Sequence, residues 1–239
     1  MTDIKEIISD ISHRPFPIPK GQWTYYQEWN KALFLYWTVP FEALRKYVPE
    51  NLNIDTYNNQ SYVSLVAFIM EKIRPRFLPS IHFISNFAEI NIRTYIDNNG
   101  IKGVYFLNIE ADNFLSTFVA RQLSGLPYEK ANIKKTDNQF ISKNFKKNIS
   151  LDTEFDAQSC IETKTELDKW LIERYCLYLD KGNELYRYDI HHKEWQIKSV
   201  KLKRLNLKYQ IGDIKFTEQP NLTHYSDGVK VIAWDRQNL

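Results

Sequence analysis

The stretch that most constrains the fold runs from Asn86 to Ile96 (NFAEINIRTYI), where polar residues fall on every second position. This period places successive side chains on opposite faces of a β-strand. Four polar side chains share one predicted face: Glu89, Asn91, Arg93 and Tyr95. The other face is built for packing. The polar row must either face water, as one side of an antiparallel sheet often does, or line a polar cavity.

The composition predicts a folded protein with a substantial core. The chain has 239 residues, of which 43% are hydrophobic and 15% aromatic. Barrels of this size are commonly single domains, and no internal repeat, low-complexity segment or shift in composition marks a boundary. The net charge is +3, and the one clustered basic run, Lys201 to Arg204, is typical of a solvated strand or turn. Nucleic acid is therefore not an expected partner.

The sequence carries no membrane, metal or cofactor signal. No stretch approaches the ~20 apolar residues of a membrane helix. The N-terminus MTDIKEIISD also lacks the order of a signal peptide, so we expect a soluble, cytoplasmic protein. Cys160 and Cys176 lack zinc-site spacing and are interpreted as two buried thiols. The adjacent His191 and His192 point to opposite faces if they lie on a strand, so we predict a polar turn and no metal. No motif indicates a cofactor.

Hydrophobic periodicity predicts a strand-rich α+β domain. We divide the chain into a helix and Pro-rich arm (residues 1–22) and one domain (23–239). Short helices are predicted at Asp3 to Ile11, Phe41 to Tyr47 and Asn113 to Ser124, and a fourth follows Thr165. The predicted strands are Trp23 to Val39, Leu52 to Tyr57, Tyr62 to Met70, Asn86 to Ile96, Ile101 to Ile109, two or three within Gln139 to Thr163, Leu185 to Ile190, Trp195 to Tyr209 and Val229 to Trp234.

Turn and helix-capping residues support three of these assignments. Asn98-Asn99-Gly100 predicts a hairpin between the central strand and the next one. Thr165 and Asp168 form a weak capping box, and apolar residues follow at helical spacing as far as Tyr178. Gly125 and Pro127 end the helix that begins at Asn113. Beyond them, simple alternation would put Tyr128 and Lys130 on one face.

Three segments resemble the YqjF-like family of uncharacterised bacterial proteins, which is similar in turn to acetoacetate decarboxylase. They are Leu33 to Asp55, Ala88 to Tyr95 and Ala120 to Ala131. The resemblance covers the chain from about Trp23 onward. It implies a closed or nearly closed antiparallel β-barrel with its site inside, so the face of Glu89, Asn91, Arg93 and Tyr95 would point into a cavity.

The resemblance also implies that this chain lacks the two active-site lysines of the decarboxylase. Acetoacetate decarboxylase forms a Schiff base through an activated lysine. That lysine and a second one directly follow a proline, and here Tyr128 and Glu129 follow Pro127. A phenol cannot form an imine. The second lysine of the decarboxylase is a cation, which would lower the pKa of a neighbouring lysine, whereas Glu129 is an anion and would raise that pKa. The decarboxylase's active-site glutamate is matched by Glu89.

Each candidate residue also has a purely structural interpretation. Glu89 and Arg93 would form either a buried ion pair or a site for an anionic or carbonyl ligand. Tyr128 is either a packed aromatic or a hydrogen-bond donor to a ligand. Lys130 is either a surface charge or a displaced Schiff-base lysine. Arg121 either stabilises its helix dipole or reaches the cavity.

Three functional hypotheses follow. The first is a small-molecule-binding protein or non-Schiff-base enzyme that acts on a small carbonyl or carboxylate compound inside the barrel. In it, Glu89 and Tyr128 are catalytic, and the ligand is bound by Asn91, Arg93, Tyr95, Arg121 and Lys130. The second is a non-catalytic structural or interaction domain. The third is an imine-forming enzyme that uses Lys130.

Overall fold

The chain is mostly β-strand in the computed structural model, which describes residues 2–112, 125–182, 184–216 and 219–239. The described helices are α1 (Thr2–Ser9), α2 (Phe41–Arg45), α3 (His82–Ser85) and α4 (Glu166–Ile172). The strands are β1 (Tyr25–Val39), β2 (Ser61–Pro75), β3 (Phe87–Asn98), β4 (Ile101–Ala111), β5 (Glu129–Lys130), β6 (Asn132–Thr136), β7 (Gln139–Asn144), β8 (Ile149–Cys160), β9 (Cys176–Lys181), β10 (Glu184–His192), β11 (Lys198–Ile211), β12 (Ile214–Phe216), β13 (Leu222–Ala233) and β14 (Gln237–Asn238).

Seven of these strands close into a ring. Going round it, β1 pairs with β2, β2 with β3, β3 with β4, β4 with β9, β9 with β10, β10 with β13, and β13 with β1. Every pairing is antiparallel except that of β4 with β9. The predicted closed, largely antiparallel barrel is therefore confirmed, with one parallel pairing that the sequence did not indicate.

The parallel pairing of β4 with β9 is short and depends on a glycine. It consists of Val104 opposite Leu177 and Tyr105 opposite Tyr178. A Cβ atom at Gly103 would lie 2.6 Å from Cys176 Sγ and 2.7 Å from the Cys176 carbonyl oxygen. Glycine therefore lets the two backbones approach closely enough for the ring to close.

A tight hairpin joins β3 to β4, as predicted. Asn98 pairs with Ile101, and the two intervening residues have positive φ angles, 54° at Asn99 and 81° at Gly100. Two consecutive positive φ angles are typical of a type I′ turn, whose twist matches that of antiparallel strands.

The face of β3 opposite its polar row is covered by four strands outside the ring, which we call the outer sheet. These strands, β6, β7, β8 and β11, continue the same sheet beyond β13. In one core cluster, Phe140 and Phe155 of this outer sheet are grouped with Ile90 and Ile92 of β3. Full burial of an aliphatic side chain of this kind contributes about 1.5–3 kcal/mol. Ile90 and Ile92 therefore face outwards against the outer sheet, and the polar row faces into the ring.

Several local predictions are wrong or incomplete. The helix behind Thr165 ends at Ile172, and Tyr178 lies in β9, because pairing with β4 and β10 takes precedence over helical spacing. Residues Leu52 to Tyr57 form isolated bridges instead of a strand. Helix α3 was not predicted.

Two further residue pairs differ from expectation. Cys160 is exposed, so only Cys176 is a buried thiol, and both are free. His191 and His192 lie at the buried end of β10 and not in a turn.

Nowhere in the described ranges do three or more His, Cys, Asp or Glu side chains come together as metal ligands would. None of the described helices has both the length and the apolar character needed to cross a membrane.

Candidate functional site

The ring of strands encloses a cavity of about 450 Å³. This volume is within the range of roughly 300–1,000 Å³ that is typical of small-molecule sites. Its walls are largely apolar and aromatic, and they include Phe34, Val66, Phe68, Phe106, Leu126 and Trp195. A few polar groups in such a cavity would fix the orientation of a ligand.

Most of the polar row of β3 lines this cavity. Glu89, Asn91 and Arg93 are buried and belong to the cavity wall. Tyr95, the fourth residue of the row, is completely buried and lies beyond the wall, with its ring centroid 4.6 Å from that of Trp170. The row is therefore shielded from solvent. Its first three residues contact the cavity, and Tyr95 does not.

Glu89 accepts two hydrogen bonds inside the cavity. Asn91 Nδ2 donates to Oε1 at 2.9 Å, and the Tyr128 hydroxyl donates to Oε2 at 2.9 Å. Asn91 Oδ1 is buried and has no hydrogen-bond partner among the described residues, so it is an acceptor that a ligand could use. The sequence analysis predicted neither of these hydrogen bonds. Tyr128 lies in a segment that is distant from Glu89 in the sequence.

Burial dominates the ionisation of Glu89. It raises the pKa of the carboxyl group to about 7, against the opposing effects of the hydrogen bonds from Asn91 and Tyr128 and the positive charge of Arg93. Burial and the neighbouring Glu89 raise the pKa of Tyr128 well above its ordinary value, so Tyr128 remains a hydrogen-bond donor. Glu89 can accordingly gain or lose a proton near neutral pH.

Arg93 does not pair with Glu89. Its Nε donates to Ser64 Oγ at 3.3 Å, and its guanidinium carbon lies 6.0 Å from the centroid of the Phe34 ring. None of the ion pairs in the described part of the chain includes Arg93, so the register-fixing Glu89–Arg93 pair does not form. Its positive charge is available to an anion in the cavity.

A turn at Pro127 brings Tyr128 into the cavity wall and separates it from Lys130. The Tyr128 amide donates to the Leu126 carbonyl at 2.8 Å, which closes a three-residue turn around the proline. Tyr128 is buried, whereas Lys130 in β5 is exposed and is not part of the wall. The predicted shared face of these two residues is wrong because the turn interrupts the alternation. Arg121 lies outside the described residues, as does the predicted helix from Asn113 to Ser124.

Two cavity residues were missed by the sequence interpretation. Arg174 follows α4 and is buried, and its Nη1 donates to Asp55 Oδ2 at 2.8 Å. His192, at the end of β10, is buried too, with Nδ1 2.7 Å from the Lys193 carbonyl oxygen. Burial lowers the pKa of His192 to about 3, so the imidazole is neutral. Arg174 had no periodic signal, because its partner Asp55 is far away in sequence.

Comparison with known proteins gives a family and a relative. Residues 26–230 match DUF2071, a family of uncharacterized conserved proteins. The chain is 35% identical over 225 residues to the uncharacterized protein YqjF of Bacillus subtilis, which covers 91% of this chain and 93% of that protein. The sequence resemblance noted above is confirmed.

Solved structures of similar fold include acetoacetate decarboxylase-like enzymes. The enduracididine biosynthesis enzyme MppR complexed with pyruvate has a TM-score of 0.64 at 8% identity, with coverage of 93% of this chain and 91% of MppR. Acetoacetate decarboxylase from Legionella pneumophila has a TM-score of 0.63 at 13% identity, with coverage of 97% and 95%. These identities establish a common fold and nothing further.

Proposed function

The chain belongs to the DUF2071 family of uncharacterized conserved proteins, and from this premise and the cavity we propose that it binds a small carbonyl or carboxylate compound inside the ring. In this proposal Arg93 and Asn91 hold the ligand, and Glu89 transfers a proton to or from it. Tyr128 supports Glu89 through its hydrogen bond.

One observation carries the proposal. Glu89 and Arg93 line the same apolar cavity from one strand face and yet are not ion-paired with each other. A buried cation without a carboxylate partner carries a large desolvation cost, which an anionic ligand would offset. The acid beside it has a pKa of about 7, which is suited to proton transfer at neutral pH.

The chemistry proposed is non-covalent. No lysine is found among the described residues of the cavity wall, and the segment 113–124 contains none in its sequence. With Lys130 exposed, none of the described residues brings an amine into the cavity wall. The ionised Glu89 would instead take a proton from the carbon beside the ligand carbonyl. The electron pair of that C–H bond forms a double bond to the carbonyl carbon, and the π pair of the carbonyl moves to its oxygen, where the positive charge of Arg93 stabilises the enolate.

The structural neighbours support a ligand of this class. MppR, which shares the fold, has been solved with pyruvate bound. Pyruvate carries a carboxylate for an arginine and a carbonyl with protons on the adjacent carbon. It is small enough for a cavity of about 450 Å³.

The proposal is tested by calorimetric titration of the purified protein with pyruvate and acetoacetate, together with NMR detection of their exchange of carbon-bound protons in D₂O. We expect binding by the wild type, loss of binding in Arg93→Gln, and retained binding without catalysed exchange in Glu89→Gln. Arg204→Gln is the matched control, because Arg204 forms its ion pairs with Asp152 and Glu154 in the outer sheet. If no ligand binds and Arg93→Gln only lowers the melting temperature, the polar row is an internal structural network.

A further inference from the structure

A second buried arginine lines the same cavity as Arg93. Arg174 is 4% exposed and belongs to the cavity wall. Its guanidinium carbon lies 4.9 Å from the centroid of the Tyr95 ring and 4.4 Å from that of Trp170. Tyr95 follows Arg93 by two positions on the inward face of β3, so the two arginines lie at the same end of the polar row.

The hydrogen-bonding capacity of Arg174 is only partly used. Nη1 donates to Asp55 Oδ2 at 2.8 Å, and Nε donates to the Trp170 carbonyl oxygen at 2.7 Å. Nη2 is buried and has no hydrogen-bond partner among the described residues. Buried guanidinium donors are normally satisfied, and an orphaned one in a cavity wall indicates that a water or a ligand completes the site.

Carboxylates offset two of the three cations at this end of the cavity. Asp55 is shared between Arg174 and Lys102, whose Nζ lies 3.5 Å from Asp55 Oδ1. Arg93 has no carboxylate partner among the described residues, and Glu89 lies toward the other end of the row. Asp97 Oδ2 also lies 4.0 Å from Lys102 Nζ, so Asp55 and Asp97 together oppose Arg174 and Lys102, and Arg93 is left as the cation without a carboxylate partner among the described residues. A monocarboxylate bound by Arg93 would leave Arg174 Nη2 without an acceptor, and a second carboxylate would supply one.

We propose that Arg174 is a second anion-binding residue of the cavity and that, together with Arg93, it selects ligands with two acidic groups, such as oxodicarboxylates, over monocarboxylates of similar length. This inference rests on the proposed function and specifies its ligand class. The charge-assisted hydrogen bond from Nη2 to the second carboxylate supplies the selectivity.

The test compares two ligands that differ in one carboxylate. The affinities of the wild-type protein for 2-oxoglutarate and 2-oxopentanoate are measured by calorimetry at the same pH and ionic strength. We expect 2-oxoglutarate to bind at least about tenfold more tightly, in line with the strength of a hydrogen bond between charged groups.

The variant must remove the Arg174 charge without leaving Asp55 as an unpaired buried anion. The double variant Asp55→Asn/Arg174→Gln replaces the ion pair by two amides that can still form a hydrogen bond. In this variant the preference for 2-oxoglutarate is expected to fall to within about twofold of unity, with the affinity for 2-oxopentanoate preserved because Arg93 remains. Arg204→Gln again serves as the control and keeps the wild-type ratio.

The outcomes separate this inference from the proposed function. Equal affinities in the wild type, or a preference that survives in the double variant, would overturn the role of Arg174 and leave carboxylate binding by Arg93 standing. If neither oxo acid binds the wild type, both conclusions fall together. Should the double variant not fold, the wild-type ratio alone decides, since a ratio near one excludes selection for a second acidic group.

Discussion

The Tyr128 hydroxyl donates a hydrogen bond to Oε2 of Glu89 at 2.9 Å, and both side chains are buried in the cavity wall. The sequence resemblance matches Tyr128 to the imine-forming lysine of the decarboxylase. In our proposal the tyrosine acts instead on the acid beside it.

Removing this hydroxyl should change the titration of Glu89. A donor to a carboxylate favours its ionised form, so Tyr128→Phe is expected to raise the pKa of Glu89 above its value of about 7. If Glu89 must be ionised to remove a proton, the pH midpoint of ligand proton exchange moves upward in the variant. NMR exchange rates between pH 5 and 9 measure the midpoint.

Tyr105→Phe is the control, since the Tyr105 hydroxyl donates its hydrogen bond to Asp180. An unchanged or lowered midpoint in Tyr128→Phe would contradict the coupling.

Glu89 should also make the protein less stable as the pH rises. The pKa of Glu89 is about 7 in the folded protein and about 4.5 in a solvated chain. At pH values between these two, the folded state therefore binds one more proton at this group than the unfolded state does. The free energy of unfolding contributed by this group falls across that window, by about 3 kcal/mol in total, and is constant above it. Glu89→Gln lacks this dependence and is expected to gain stability relative to wild type from pH 5 to 8.

Urea denaturation at several pH values measures this difference. Glu42→Gln, on the exposed side of α2, is the control for removal of a carboxylate. A constant stability difference between Glu89→Gln and wild type across the window would show that Glu89 does not titrate there.

Reductive trapping should find no imine. Because no lysine lines the cavity in the described residues and Lys130 is exposed, borohydride treatment in the presence of pyruvate or acetoacetate is expected to leave the mass of the protein unchanged. Intact mass spectrometry followed by peptide mapping makes the measurement. A stoichiometric adduct at Lys130 would restore the imine hypothesis and reject the non-covalent one.

Gly103→Ala should disturb closure of the ring. The added methyl group would lie within 2.7 Å of both the Sγ and the carbonyl oxygen of Cys176, so the parallel pairing of β4 with β9 must shift. We expect a loss of about 1–3 kcal/mol of stability, as for other overpacked sites. Cys176→Ala removes the sulfur but leaves the carbonyl oxygen, so it should not rescue Gly103→Ala. Full rescue in thermal denaturation of the double variant would contradict this.

The sequence predicted the features that depend on neighbouring residues. The alternation of β3 located the polar row, Asn99-Gly100 located the hairpin, and the capping box of Thr165 and Asp168 located the start of α4. These signals are local, because backbone geometry and short-range hydrogen bonds determine them.

Features that depend on distant pairings could not be predicted in the same way. Arg174 becomes a cavity residue because α4 ends just before it and because Asp55 lies nearby in space. Lys130 was misplaced because one turn at Pro127 reverses the faces that simple alternation assigns. For Arg174 the deciding contact joins parts of the chain whose sequences contain no shared pattern, whereas for Lys130 it is a local turn that simple alternation does not include.

Closure of the ring also sets an order of events during synthesis. Strand β1 (Tyr25–Val39) completes the wall by pairing with β13 (Leu222–Ala233), near the other end of the sequence. While a ribosome is still making the middle of the chain, β1 has its β2 partner but exposes its other edge, and the cavity has no closed wall. The nascent protein therefore has no closed cavity until β13 has emerged, and its open β1 edge is until then an unpaired strand edge that a chaperone could protect.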